Sequence, residues 1–218
     1  MSVTDERTLA LYRNLGEVLP SGWRDATPWG YPEQLELAVV AGVFRAQVPQ
    51  AGVDSVVDTF MRARPNDNLD DLSTMVGGGV AGTKAALGSR WGDTNVLGVP
   101  VLRAAVIHAA AEALLSVGVR SGADLRSAAL ERPDAIAAAF LGVRGLGQGT
   151  WESICVLAHA RVRPNLLVMK YVESVVGGES PLTADETTEL LRLAARRFAS
   201  DERVLSAAVR AYVADMPN

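Results

Sequence analysis

GVRGLGQGTWES, residues 142–153, is a glycine-rich stretch that leads directly into an apolar helical pattern. Four of its first eight residues are glycine. Apolar spacing on either side predicts one helix that ends at Leu141 and a second that runs from about Gln148 to Ala160. We therefore interpret residues 134–160 as two helices joined by a tight turn, which we call the hairpin.

The glycines of this turn suit contact with a phosphate group. Gly145 and Gly147 can adopt positive φ and carry no Cβ, so the amides of the turn can point outward together beside the positive end of the following helix. Contact with backbone charge would position nucleic acid without reading its sequence. The alternative is a corner in which glycine only lets two helices approach closely, and the stretch alone leaves both interpretations open.

Helical periodicity extends along most of the remaining chain, and no segment has a convincing strand pattern. Pro32 begins a helix whose apolar positions surround most of its circumference, which predicts a central place in the fold. The glycine-rich segment from Gly77 to Val99 predicts mostly loop. The sequence therefore predicts an all-α fold.

Composition indicates a folded protein with a weakly acidic surface. The chain has 218 residues, of which 49% are hydrophobic and 21% charged, enough for one sizeable core or two small lobes. The net charge of −4 argues against a general polyanion binder. Basic residues nevertheless gather near the hairpin, because residues 141–172 hold Glu152 against four basic side chains: Arg144, Arg161, Arg163 and Lys170. These charges point to phosphate contact, or alternatively serve solubility alone.

Cysteine and apolar content limit the cofactors and the cellular location. Cys155 is the only cysteine, which excludes an internal disulfide, a four-cysteine iron–sulfur cluster and a cysteine-based zinc site. His108 and Glu112 lie one helical turn apart with no third ligand in view, so we expect a hydrogen-bonded pair and no metal or cofactor. No apolar run approaches the ~20 residues that span a bilayer, and no secretory segment is recognisable. We expect a cytoplasmic protein without a membrane partner.

The hairpin and the segment after it resemble the helix-hairpin-helix (HhH-GPD) DNA glycosylase superfamily. LGVRGLGQGTWESICVLAH is followed by RVRPNLLVMKYVESVVG. Residues 145–151 match the G-[VLI]-G-x-x-T-[AW] hairpin of that family, and residues 164–172 lie where it shows Asp-x-x-V-x-[RK]-[FV]-V. The chain is most similar to small bacterial members, chiefly actinobacterial, that lack an iron–sulfur cluster. The specific match covers residues 141–172, and the upstream helices extend it over most of the chain.

This resemblance implies a DNA-binding protein of the base-excision repair type with two helical lobes and a central cleft. The chain would form one unit of residues 1–218, with lobe A at about 1–31 plus 165–218 and lobe B at about 32–164. Double-stranded DNA would be the partner, contacted without sequence preference. The residues implied in that contact are Arg144, Gly145, Gly147, Gln148, Gly149, Thr150 and Lys170. The oligomeric state stays open.

Two departures from the family pattern concern the chemistry. Gly149 lies where members with lyase activity carry a nucleophilic lysine, so strand cleavage through a Schiff base is excluded. Asn165 lies at the position of the catalytic aspartate, and an amide neither carries negative charge nor accepts a proton near neutral pH. An active protein would therefore hydrolyse the N-glycosidic bond without lyase chemistry. The alternatives are an inactive binder of damaged or distorted DNA, and a helical scaffold that binds a protein or small ligand.

Other residues are candidates for a base pocket or a substitute acid. Trp29 lies in a loop with two further aromatic residues, Trp23 and Tyr31, and these rings would either hold an extruded base or anchor the loop to the core. Arg45 and Gln47 fall roughly where the superfamily places polar residues near the extruded nucleotide. The carboxylates available to replace the aspartate are Glu33, Glu36, Asp93 and Glu152. We expect helix charges or solvated side chains there, and the sequence does not choose among them.

Overall fold

The computed structural model describes residues 3–25, 30–45, 47–160, 166–178, 180–214 and 216. Within those ranges the chain forms twelve α-helices, one short 3-10 helix at Trp23–Asp25 and no strand beyond an isolated bridge between Asn95 and Leu102. The helices are α1 Val3–Val18, α2 Leu35–Arg45, α3 Gln50–Ala63, α4 Leu72–Gly77, α5 Gly79–Gly92, α6 Arg103–Ser116, α7 Gly122–Glu131, α8 Pro133–Leu141, α9 Gln148–Leu157, α10 Leu166–Val176, α11 Ala184–Arg197 and α12 Glu202–Ala214. The predicted all-α class is confirmed. No described helix is both long and apolar enough to cross a bilayer.

Side-chain caps fix where two of these helices begin. The Ser121 hydroxyl accepts a bond from the Asp124 amide, and the Asp124 carboxylate accepts one from the Ser121 amide. Thr183 and Glu186 make the same reciprocal pair at the start of α11. Such pairs satisfy amide groups that have no partner within the helix. Each pair has the spacing of a capping box, with an acid three residues after Ser or Thr.

The chain divides into two compact units. One comprises Met1–Trp29 and Val162–Asn218, where α1, α10, α11 and α12 surround an apolar core that includes Leu15 and Val209. Trp23 is 5% exposed there and packs edge-on against Phe198, with 5.3 Å between ring centroids. Of the two interpretations of the aromatic loop, Trp23 fits that of an anchor.

The other unit, Gly30–Arg161, is built around α2. Every residue of α2 from Leu35 to Phe44 is buried, as its apolar circumference predicts. Helices α3, α6 and α9 pack against it. Because α9 is the second helix of the hairpin, this unit places the hairpin directly on the central helix.

One predicted loop is wrong. The segment from Gly77 to Val99 contains α5, a helix of 14 residues kinked at Gly88, where φ is 74°. Glycine lowers helix propensity, but α5 buries Ala86 and Leu87 and packs against α3 and α6. Burial of an apolar face outweighs weak propensity here, because tertiary packing supplies most of a helix's stability in a protein.

Candidate nucleic-acid interface

The hairpin turn is a tight bend that uses one glycine for its backbone conformation. The Leu146 amide donates to the Val143 carbonyl at 3.1 Å, and Gly145 between them has a φ of 96°. A positive φ at the third position is what a type II turn requires, and glycine provides it without strain. The helices on either side end at Leu141 and begin at Gln148, as predicted.

The amides at the start of α9 face solvent. Gly147 is the N-cap residue, and its carbonyl accepts bonds from the Thr150 and Trp151 amides at 3.0 and 3.1 Å. Among the described residues, nothing accepts a bond from the amides of Gly147, Gln148 or Gly149. All three residues are exposed. The arrangement therefore presents adjacent unpaired donors beside the positive end of a helix.

Two glycines of the hairpin are not needed for packing within the described chain. A Cβ placed on Gly147 or Gly149 would meet no atom within 4 Å. At Gly145 a Cβ would make only ordinary contact, 3.6 Å from Val96 and Val106. Close approach between α8 and α9 therefore does not explain these glycines. Bare backbone at an exposed surface instead suits the close approach of a ligand.

The side chains predicted to assist phosphate contact lie in different environments. Arg144 is exposed within the turn, and Gln148 donates to Glu152 at 3.3 Å. Lys170 is exposed on α10, which belongs to the other compact unit. Thr150 is only 8% exposed and its amide is already bonded, so we assign it to the helix start rather than to phosphate contact.

Helix α9 packs against α2 through Ile154, whose side chain lies against the backbone of Gly42. A Cβ on Gly42 would overlap Ile154 Cγ1 and approach the Ile154 backbone nitrogen to 3.4 Å, so α2 carries glycine where the helices meet. At the far end of α9, the Tyr31 amide donates to the Leu157 carbonyl at 2.7 Å. These contacts fix the direction of the hairpin amides relative to the core.

A clamp of three side chains fastens the loop beneath the turn. The Gln47 side-chain oxygen accepts bonds from the Leu97 amide and from Arg103 Nη2, both at 2.9 Å. Arg103 Nη1 donates to the Thr94 hydroxyl at 2.8 Å. Val96, in the same loop, packs against Gly145. Gln47, predicted to lie near an extruded base, thus has its side-chain oxygen committed to this clamp.

Arg103 is a functional candidate that the sequence did not reveal. It is 8% exposed, its Cζ lies 5.0 Å from the centre of the Phe44 ring, and its Nε has no acceptor in the described chain. Burial lowers the pKa of its guanidinium, and no described carboxylate pairs with it. An arginine at the first position of a helix gives no sequence signal, because its burial depends on residues far away in the chain.

Of the remaining candidates for a base pocket, Arg45 and Trp29, the structure describes Arg45. Arg45 is exposed at the last residue of α2. Trp29 and Asn165 lie outside the described residues, as do two basic residues of the predicted patch, Arg161 and Arg163.

Each proposed substitute acid already has a partner. Glu33 pairs with Arg126 at 3.0 Å, Asp93 pairs with Lys84, and Glu152 accepts from Gln148. Glu36 is completely buried and contacts Arg64 through both carboxylate oxygens. Burial raises the pKa of Glu36 to about 7, and the Arg64 guanidinium holds it from rising further.

The described residues contain no group of three or more potential metal ligands. His108 Nδ1 lies 3.4 Å from Glu112, and its Nε2 lies 3.3 Å from the Val76 carbonyl oxygen. His108 and Glu112 therefore lie close together on α6, and the contact of His108 with Val76 ties α6 to the end of α4.

Comparison with known proteins assigns the chain to one family. The model of the family described as "Domain of unknown function (DUF8548)" matches residues 10–212, which include the hairpin and parts of both compact units. No curated protein and no solved structure matches the chain.

Proposed function

We propose that this chain, which belongs to the family described as a domain of unknown function (DUF8548), binds duplex DNA through the hairpin without reading its sequence. The observation that carries the proposal is the set of exposed, unpaired amides at the start of α9. Backbone amides at a helix start bind phosphate oxygens, and phosphates carry no sequence information.

Charge near the turn supports the same proposal. Arg144 is exposed within the turn, and Arg103 holds a buried positive charge without a described carboxylate partner. Val106, one helical turn after Arg103, lies beside Gly145. These two positive charges outnumber the one carboxylate, Glu152, that α9 carries beside the turn, although the chain as a whole is acidic.

The resemblance to helix-hairpin-helix DNA glycosylases leads to the proposed reaction class. An active protein would release a base with water as the nucleophile, because Gly149 provides no amine for a Schiff base. Asn165 at the aspartate position, together with the pairing of the four alternative carboxylates, favours the second candidate, a binder of damaged or distorted DNA without catalysis.

Fluorescence anisotropy with a labelled duplex tests DNA binding. Raising the salt from about 50 to 200 mM should weaken binding at least tenfold if several phosphates are contacted. Gly149→Glu places a negative charge beside the amides in a position with free space, and we expect at least tenfold weaker binding without loss of thermal stability.

Gly77→Glu is the matched control, since Gly77 is also exposed, helical and free of neighbours within 4 Å of its Cβ position. It changes the net charge equally but leaves the hairpin intact. Equal loss of binding in both variants would overturn the proposed site. No binding by the wild-type protein at low salt would overturn DNA as the partner and favour the helical scaffold.

Base release separates the two DNA-binding candidates. Oligonucleotides with uracil, alkylated, oxidised or mismatched bases are incubated with the protein, and abasic sites are cleaved with alkali. Release by the wild-type protein supports a hydrolytic glycosylase. If only Asn165→Asp releases a base, the wild-type protein is the silent binder on a competent fold. A folded Asn165→Asp variant that binds DNA and releases nothing would contradict the glycosylase assignment.

A further inference from the structure

A cavity of about 380 Å³ lies between the C-terminal ends of α3 and α4 and one side of α5. Much of its wall is small or apolar: Ala63, Met75, Ala85 and Ala86. Gly82 also lines it, and a Cβ there would meet no atom within 4 Å. Its volume is within the range that accommodates small organic molecules, ~300–1,000 Å³.

The charged groups at the cavity leave an excess of negative charge. Arg64 and Asp67 line it, and Arg64 Nε donates to Asp67 Oδ2 at 2.6 Å. Behind them, the completely buried Glu36 contacts the same guanidinium with both carboxylate oxygens. One arginine thus faces two carboxylates, so the ionised group carries one net negative charge. The second oxygen of Asp67 has no partner among the described residues.

One helix end adds charge of the same sign. Helix α3 ends at Ala63 with Arg64 as its C-cap, whereas Gly78 is both the C-cap of α4 and the N-cap of α5, so the partial charges of those two helix ends oppose each other. Ala63, Arg64 and Gly78 all line the cavity. The C-terminal ends of helices carry partial negative charge on unpaired carbonyl groups. The side chains and the end of α3 together therefore favour a positively charged ligand.

We propose that this cavity binds a small organic cation, a protonated alkylamine. The ammonium group donates to the free oxygen of Asp67, and the alkyl chain lies over Met75 and the alanines. The carboxylate favours the charged ammonium group, and the apolar wall favours the alkyl chain. The site is separate from the hairpin and does not depend on DNA binding.

Calorimetric titration with n-butylammonium chloride at about pH 8, where Glu36 is ionised, tests the proposal. We expect saturable binding with a Kd of about 1 mM or tighter. The uncharged analogue 1-butanol should give no saturable heat. Absence of saturation with butylammonium, or equal binding of the alcohol, would overturn the proposed site.

Two variants locate the binding. Asp67→Asn removes the charge that receives the ammonium and should weaken binding at least tenfold, whereas Asp93→Asn, on an exposed carboxylate that does not line the cavity, should leave it unchanged. Gly82→Leu fills the cavity and should abolish binding, while thermal stability is kept because leucine favours the helix. Undiminished binding by either Asp67→Asn or Gly82→Leu would place the amine elsewhere and refute the site.

Discussion

Gly42 sets how closely the central helix approaches the hairpin. Gly42→Ala would force α2 and α9 apart at Ile154, and we expect the free energy of unfolding to fall by about 1–3 kcal/mol. Urea unfolding followed by circular dichroism measures this. Gly149→Ala is the control, since its Cβ enters free space and alanine favours a helix. Equal destabilisation by both changes would contradict the assigned role of Gly42.

Glu36 makes stability depend on pH. Its pKa rises from 4.5 to about 7 on folding, so the native state binds the extra proton between these values. The associated stability is fully present below about pH 4.5 and is lost as the pH rises through 7. We expect the stability of the wild-type protein relative to Glu36→Gln to fall over this window by an amount on the order of 3 kcal/mol.

Urea unfolding of both proteins across that window provides the measurement. Asp71 does not interfere, because Arg120 holds the pKa of its carboxyl far below the usual value and that contribution is lost only in stronger acid. A difference between the two proteins that stays constant with pH would show that Glu36 keeps an ordinary pKa in the folded chain.

At the scale of single elements, the hairpin was readable because its signals are local. Apolar spacing and glycine position predicted that α8 ends at Leu141 and α9 begins at Gln148, where the structure places them. The far end of α9 was less accurate, since the helix stops at Leu157 rather than Ala160. His159, two residues beyond the helix, has a φ of 56°. The sequence does not predict this left-handed backbone conformation.

Elements that are stabilised by distant parts of the chain could not be predicted from the sequence. Helix α5 exists because α3 and α6 bury one of its faces, and its glycines alone argued for a loop. The Gln47–Arg103 bond joins residues 56 positions apart. Periodicity reports which face of a helix is apolar, but it does not report which polar side chain meets which partner.

The two capping boxes allow a prediction about the stability that a helix cap contributes. Ser121→Ala and Thr183→Ala each remove a side-chain acceptor at a helix start, and we expect each to lower the free energy of unfolding by about 1 kcal/mol. Ser153→Ala, inside α9, should have a smaller effect because no cap is lost. Chemical unfolding of the three variants measures the differences. A cap variant as stable as the wild type would rule out its capping contribution.

At the scale of the whole molecule, one compact unit is a continuous stretch of chain. Gly30–Arg161 contains α2 to α9, and the bond from Tyr31 to Leu157 joins positions near its two ends. Since domains with their own core generally fold alone, we expect residues 30–161 to unfold cooperatively as an isolated fragment. Thermal circular dichroism tests this, with the full chain for comparison. A fragment that lacks a cooperative transition would show that its core is incomplete.

The contact between Gly42 and Ile154 links the protein's interior to its proposed DNA-binding surface. Helix α9 begins at the exposed amides and packs against α2. The buried residues of α2 therefore determine the direction in which those amides point. Substitutions at interior positions of α2 would therefore shift the positions of the donors. Differences among members of the family in the proposed affinity for DNA would then arise from substitutions in the core as well as on the surface.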